Sequence, residues 1–217
     1  MSFIPVSEAI QQLENDGLVE SRPRVGTRVR VPTEQEVRER YVLREALESQ
    51  SSRLCAEHAT FQERLELRRA ADQLDAMSLE GVDEKSDVDS LFGLHTQHFG
   101  FHMRIAEYAR CEVLRHAIEK NQVLVFNWLY AVSANRRGLP PGFHRDLSEV
   151  ITQATPAEAD QAMRKHISYE REDVVSSIAD RTSDGWRRKR SAASEVEVAG
   201  TTAPRSPSGG VEEETRT

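Results

Sequence analysis

The chain has 217 residues, 38% hydrophobic and 30% charged, with a formal net charge of −7. That length serves one good core, or one core with a small appended module, and the absence of any apolar run of about 18 residues excludes a membrane-spanning helix. The acidic balance excludes a surface that is basic everywhere, so contact with nucleic acid would fall to local patches.

Residues 6–16 carry Val6, Ala9, Ile10 and Leu13 at helical spacing and stop at Gly17. Leu18 to Val31 alternates with period two around Pro23 and Gly26, which predicts a β-hairpin. Helix and hairpin together are too little to fold alone. Arg22, Arg24, Arg28 and Arg30 crowd into this hairpin, either as a phosphate-facing patch or as a solvated charge run. Pro32 and Thr33 mark a boundary, and beyond it helix follows helix. Thr33 with Glu36 opens one through about Ala56, with Val37, Tyr41, Leu43, Ala46, Leu47 and Leu54 on or near its buried face. Thr60 with Glu63 opens a second, bearing Leu65, Leu67, Ala71 and Leu74.

Beyond a polar, acidic linker (about 80–87), a third helix of about 88–108 carries Leu91, Leu94, His98, Phe101, His102 and Ile105. A fourth, about Glu112 to Ala134, is strongly apolar around Val123-Leu124-Val125-Phe126. The loop Arg136 to Gly142 breaks the chain before a fifth helix of about 143–154. Thr155-Pro156-Ala157-Glu158 then starts a sixth, with proline in its first position and Ala162, His166, Ile167 and Val174 along it. From about Arg181 the composition turns to Ser, Thr, Gly, Pro and charge, which predicts a disordered tail that opens with Trp186 and Arg187-Arg188-Lys189-Arg190. Cys55 and Cys111 stand alone without metal-type spacing, as reduced residues of a cytoplasmic protein do. The N-terminus has neither the basic nor the apolar region of a secretory signal.

Four of the seven histidines fall into pairs. His98 and His102 leave one helix face a turn apart, and His144 and His166 lie on two further helices. Imidazoles presented from several helices commonly build a transition-metal site in a bundle. A histidine on a helix is still more often a surface or satisfied core residue, and spacing alone leaves the matter open. Phe99 stands where an HExxH motif has its glutamate, so the pair is not that catalytic motif. His58, His95 and His116 have no partner pattern and read as structural or exposed.

Residues 5–31, PVSEAIQQLENDGLVESRPRVGTRVRV, resemble the recognition helix ("PVREALRRLEAEGLV") and wing ("RPRRGxxV") of GntR-family transcription regulators. The segments 41–60, 98–114 (HFGFHMRIAEYARCEVL) and 143–167 (FHRDLSEVITQATPAEADQAMRKHI) resemble the helical FCD effector-binding domain of the FadR subfamily. The resemblance implies a mostly α fold: a six-to-seven-helix antiparallel bundle over 33–180, preceded by a partial winged helix-turn-helix over 1–32, with the tail at 181–217. It also implies a divalent transition metal held by His102, His144 and His166, with His98 in place of the family's aspartate. Zinc is expected first, with nickel or iron as alternatives. An all-histidine set leaves the metal's charge uncompensated, which would favour softer ions over manganese and strengthen the pull on an anionic effector.

The effector implied is a small organic acid, with Arg44 and Asn127 as its contacts; Arg44 is equally readable as a surface ion pair with Glu48. Asn127, Trp128 and Tyr130 could line a cavity, although core packing suits each better. On the DNA side the resemblance assigns Pro5, Ser7, Arg22, Arg24 and Gly26. The family arginines that flank the start of the recognition helix are Phe3 and Ser7 here, and the resemblance begins almost at that helix, which implies either a start placed too late for the two preceding helices of a full winged domain or a degenerate regulator. Direct binding to operator DNA is therefore expected to be weak. The reading is a cytoplasmic, homodimeric, effector-responsive regulator with no membrane contact. The alternative is a ligand or metal sensor that has lost autonomous DNA binding. A metal-dependent hydrolase is disfavoured because the motif holds no carboxylate general base.

Overall fold

The structure, a computed structural model, describes residues 3–30, 32–79, 88–132 and 139–184, with the side chains of 3, 4, 88, 89, 91, 123–132 and 177–184 outside that description. Met1–Asp180 form one compact unit and Arg181–Thr217 a second. Asn127, Trp128 and Tyr130 thus lie on a described helix with undescribed side chains, and the expected tail with Trp186 and Arg187–Arg190 lies outside the described residues. So does the acidic linker of 80–87.

In chain order the elements are α1 (Phe3–Asn15), β1 (Val19–Arg22), β2 (Gly26–Val29), α2 (Glu34–His58), α3 (Phe61–Leu79), α4 (Val88–Tyr108), α5 (Glu112–Val132), α6 (Phe143–Gln153) and α7 (Pro156–Asp184). The fold is mostly α, a bundle of α2–α7 preceded by a helix and a two-stranded antiparallel hairpin. Among the described residues no helix is long and apolar enough to cross a membrane.

The helix ends follow from local chemistry. α1 stops because Gly17 takes φ 76, which lets Gly17 N–H reach Glu14 O at 3.0 Å and Leu18 N–H reach Leu13 O at 2.9 Å. Thr33 and Glu36 exchange side-chain and backbone bonds at the start of α2. Thr60 with Glu63 opens α3 in the same way, and Thr155 with Glu158 opens α7 just ahead of Pro156. In the hairpin Val19 pairs with Val29 and Arg22 with Gly26, whose φ of 103 suits glycine alone.

The core is built from Val37, Tyr41 and Cys55 of α2, Leu67, Ala71 and Leu74 of α3, Phe101 and Ile105 of α4, Leu147 and Ile151 of α6, and Met163, Ile167 and Val174 of α7. α2 lies against α4 and α5, and α3 against α4 and α6. Arg64 bolts two helix ends together, its guanidinium donating to Ala56 O and Ala59 O at the end of α2 and to Thr152 O in α6. Leu18 packs on the core from the hairpin side, while Val6 and Leu13 of α1 are exposed.

One expectation about α2 fails. Leu43 is 42% exposed and Ala46 is exposed, because the inward face of α2 is partly polar: Arg44, Glu48, Ser49, Ser51 and Ser52 are all buried there beside Val37, Tyr41 and Cys55. Apolar periodicity finds the inward face only where that face is apolar, and here it is the wall of a polar centre.

Candidate metal centre

Four imidazoles meet in the middle of the bundle. His98 and His102 come from α4, His144 from the first turn of α6 and His166 from α7. Ring centroids lie 4.7 Å apart for His98 and His102, 5.2 Å for His98 and His144, and 5.3 Å for both His102–His166 and His144–His166. His102, His144 and His166 are buried and His98 is nearly so.

A carboxylate that the sequence reading passed over joins them. Glu170 lies one turn after His166 on α7, with Oε1 at 2.7 Å from His98 Nε2, 3.1 Å from His166 Nε2 and 3.8 Å from His102 Nε2. One donor atom from each of His98, His102, His166 and Glu170 falls within 4.8 Å of all the others. Ligands about 2.1 Å from a tetrahedral ion stand roughly 3.4 Å apart, so a modest contraction would close this set on a cation.

The outer nitrogens fix how the rings point. His102 Nδ1 is 2.6 Å from Glu48 Oε2, and His144 Nδ1 is 2.8 Å from Asp75 Oδ1. An ionised carboxylate only accepts, so both rings donate from Nδ1, and the neutral His144 turns a bare Nε2 inward. His144 Nε2 and His166 Nδ1 are buried without a hydrogen-bond partner, and His166 Nε2 has only the Glu170 carboxylate beside it. Orphaned imidazole lone pairs inside a protein are costly, and a cation is what they fit.

Asp75 has a second task. Gly142, at φ 76, precedes α6 and offers no side-chain cap. From α3 the Asp75 carboxylate instead accepts His144 N–H at 3.1 Å and Arg145 N–H at 3.0 Å. Burial pushes its carboxyl up, but the His144 ring and these two amides outweigh that and hold it below the usual range.

Arg44 sits at the back of the centre, 1% exposed. Its Nε donates to Glu48 Oε1 at 2.6 Å, Nη1 donates to Glu170 Oε2, and Nη2 is 3.4 Å from His102 Nε2. Gln122 Nε2 donates to Glu48 Oε1 at 2.9 Å. The ion pair with Glu48 is therefore buried and shared with Glu170, not a surface pair. Burial alone would raise both glutamates; Arg44 leads the groups that hold Glu170 well below its ordinary range and Glu48 down at about 2. Burial keeps His98, His144 and His166 neutral, with His166 down at about 4. Neutral imidazoles and an ionised carboxylate are the protonation states a transition metal binds.

Of the sequence candidates, His98, His102, His144, His166 and Arg44 converge here. Asn127 falls where side chains are not described. Pro5 and Ser7 are exposed on α1, and Arg22, Arg24 and Gly26 are exposed at the hairpin turn, with Arg24 at φ 66. The expectation of an all-histidine set with no nearby carboxylate is corrected: Glu170 lies among the rings, and Glu48 and Asp75 stand behind two of them. Outside the centre, Phe143 stacks on His166 at 4.1 Å, and a cleft of about 590 Å³ between α6 and α7 is bordered by Phe143, Leu147, Val150, Lys165, His166 and Tyr169.

Comparison with known proteins agrees with this architecture. The FCD domain model matches residues 39–169. A transcriptional regulator (GntR family member) from Pseudomonas syringae pv. tomato str. DC3000 superposes with a TM-score of 0.55 at 20% identity, covering 84% of this chain and 73% of that one. E. coli McbR/YncC superposes at 0.59 with 18% identity, covering 83% and 86%. No curated protein matches the sequence.

Proposed function

Because the chain belongs to the FCD domain family, we propose that it is an effector-responsive transcription regulator of the GntR type whose helical bundle senses through a divalent metal centre. The observation that carries the reading is the convergence of four buried or nearly buried imidazoles and one carboxylate from three helices, with His144 Nε2 left without a partner. His98, His102, His144, His166 and Glu170 are the ligands proposed. Nitrogen donors with a single carboxylate suit zinc, nickel or iron better than magnesium or calcium. A small organic acid is the effector proposed, since a metal beside a buried guanidinium is a seat for a carboxylate. The regulator acts in the cytoplasm as a homodimer, with Arg22 and Arg24 of the exposed hairpin reaching phosphate or minor groove and Pro5, Ser7 and Gly26 shaping that surface.

Two measurements test the reading. Elemental analysis of purified protein, with titration of the metal-stripped form, should find one divalent metal per chain, reduced in His102→Ala and His144→Ala. A gel shift against the intergenic DNA beside its gene, with and without metal, should show binding that weakens in Arg24→Ala and with added salt. Absence of metal binding on titration sinks the sensing centre. Metal binding with no shift on any neighbouring DNA favours the second reading, a sensor module that works without reading DNA itself.

A further inference from the structure

Glu170 is an unusual ligand candidate because its two oxygens face different partners. Oε1 is turned to the His98, His166 and His102 nitrogens, while Oε2 takes the Arg44 guanidinium. Guanidinium on one side and a metal-binding ring on the other is the recognition pattern for a free carboxylate. The chain has filled that seat with its own.

Charge makes the seat exclusive. Among the described residues, the buried ionised groups joined to the centre are Arg44 against Glu48, Glu170 and Asp75, which leaves two negative charges for a divalent ion to neutralise. An organic acid added to the loaded centre would leave an uncompensated buried anion, which is strongly disfavoured. Exchange with Glu170 conserves the charge inside, provided its side chain moves out.

We propose that Glu170 is an intramolecular competitor for the effector's carboxylate: an incoming organic acid binds by taking its place between Arg44 and the metal, which frees α7 from α2 at that point. This rests on the metal centre proposed above and goes beyond it by assigning the exchange that sets effector affinity. It also ties effector binding to a break in a helix–helix contact, since Arg44 lies on α2 and Glu170 on α7.

The test uses the full chain loaded with Co²⁺, whose d–d absorption reports its ligands, and acetate and lactate as probes. Glu170→Gln keeps the side-chain volume and a hydrogen-bond acceptor for Arg44, and circular dichroism checks that it folds. Removing the competitor should tighten acetate and lactate binding by about tenfold or more, with a ligand-induced spectral change at correspondingly lower concentration. The double variant Glu170→Gln, Arg44→Met should lose that gain. Equal acetate affinity in the parent chain and Glu170→Gln overturns the proposal, as does a gain that survives in the double variant, because charge alone would then explain it. Co²⁺ uptake with no response to either acid in any chain overturns the competitor role and leaves the metal centre standing. No Co²⁺ uptake at all overturns both.

Discussion

The carboxylate of Asp75, on α3, accepts both the backbone N–H and the ring Nδ1–H of His144, at 3.1 and 2.8 Å. One side chain thus starts a helix that has no cap of its own and aims a ring into the bundle. Asp75→Asn should therefore show two losses at once. The helix start should weaken by about 1–2 kcal/mol, and metal affinity should fall about 10–100-fold as the His144 tautomer is freed. Thermal unfolding and competition with a chromophoric chelator measure the two separately. A variant that loses stability but binds metal as before removes Asp75 from the centre.

Metal should also hold the fold together. The metal-free centre keeps unpaired imidazole nitrogens and surplus negative charge inside the bundle, so the ion binds the native state far better than the unfolded one. At a hundredfold excess over Kd the stabilisation is about 2.7 kcal/mol, or roughly 5–10 °C in Tm for a chain of this length. Calorimetry with zinc and with a chelator reads it. Identical melting in both conditions contradicts the expectation.

Arg64 offers a control away from the centre. Its guanidinium satisfies three carbonyls at the ends of α2 and α6. Arg64→Met keeps most of the apolar stem and leaves those acceptors open, which should cost about 2–3 kcal/mol. Metal stoichiometry should stay at the parent value, and urea unfolding in the presence of zinc measures the difference.

Cys55 supplies the pH dependence. Burial against apolar neighbours pushes its thiol up to about 12, above the ordinary value of 9.0. Between those two values the unfolded chain has lost the proton and the folded one has kept it. Stability from this group is therefore complete below pH 9 and declines as pH rises toward 12. At pH 8 iodoacetamide should label half-buried Cys111 first and reach Cys55 only on unfolding, as peptide mass spectrometry would show. Equal labelling rates in the native protein would contradict the burial of Cys55.

Helix boundaries were legible wherever the local chemistry is short-range. Thr33–Glu36, Thr60–Glu63, Thr155–Pro156 and Gly17 each mark an end that depends on residues within one turn. Histidines are few, so four of them on helical faces stand out. Glu48, Asp75 and Glu170 did not, because they belong to 36 acidic residues, a residue type that ordinarily stays in solvent. A signal was nonetheless present. Arg44–Glu48, His98–His102 and His166–Glu170 are all four apart, and each pair turns into the same interior. Asp75 left no such trace, since its partner lies 69 residues away on another helix.

α2 joins the hairpin to the histidine centre. Arg30, at the foot of the hairpin, pairs with Glu36, the residue that closes the capping box of α2. Eight residues further along the same helix comes Arg44, an axial rise of about 12 Å. An uninterrupted helix is stiff over that length, so α2 is a connecting rod: a shift or roll at Arg44 would be carried along it to the Arg30–Glu36 contact at the root of the hairpin that bears the arginines.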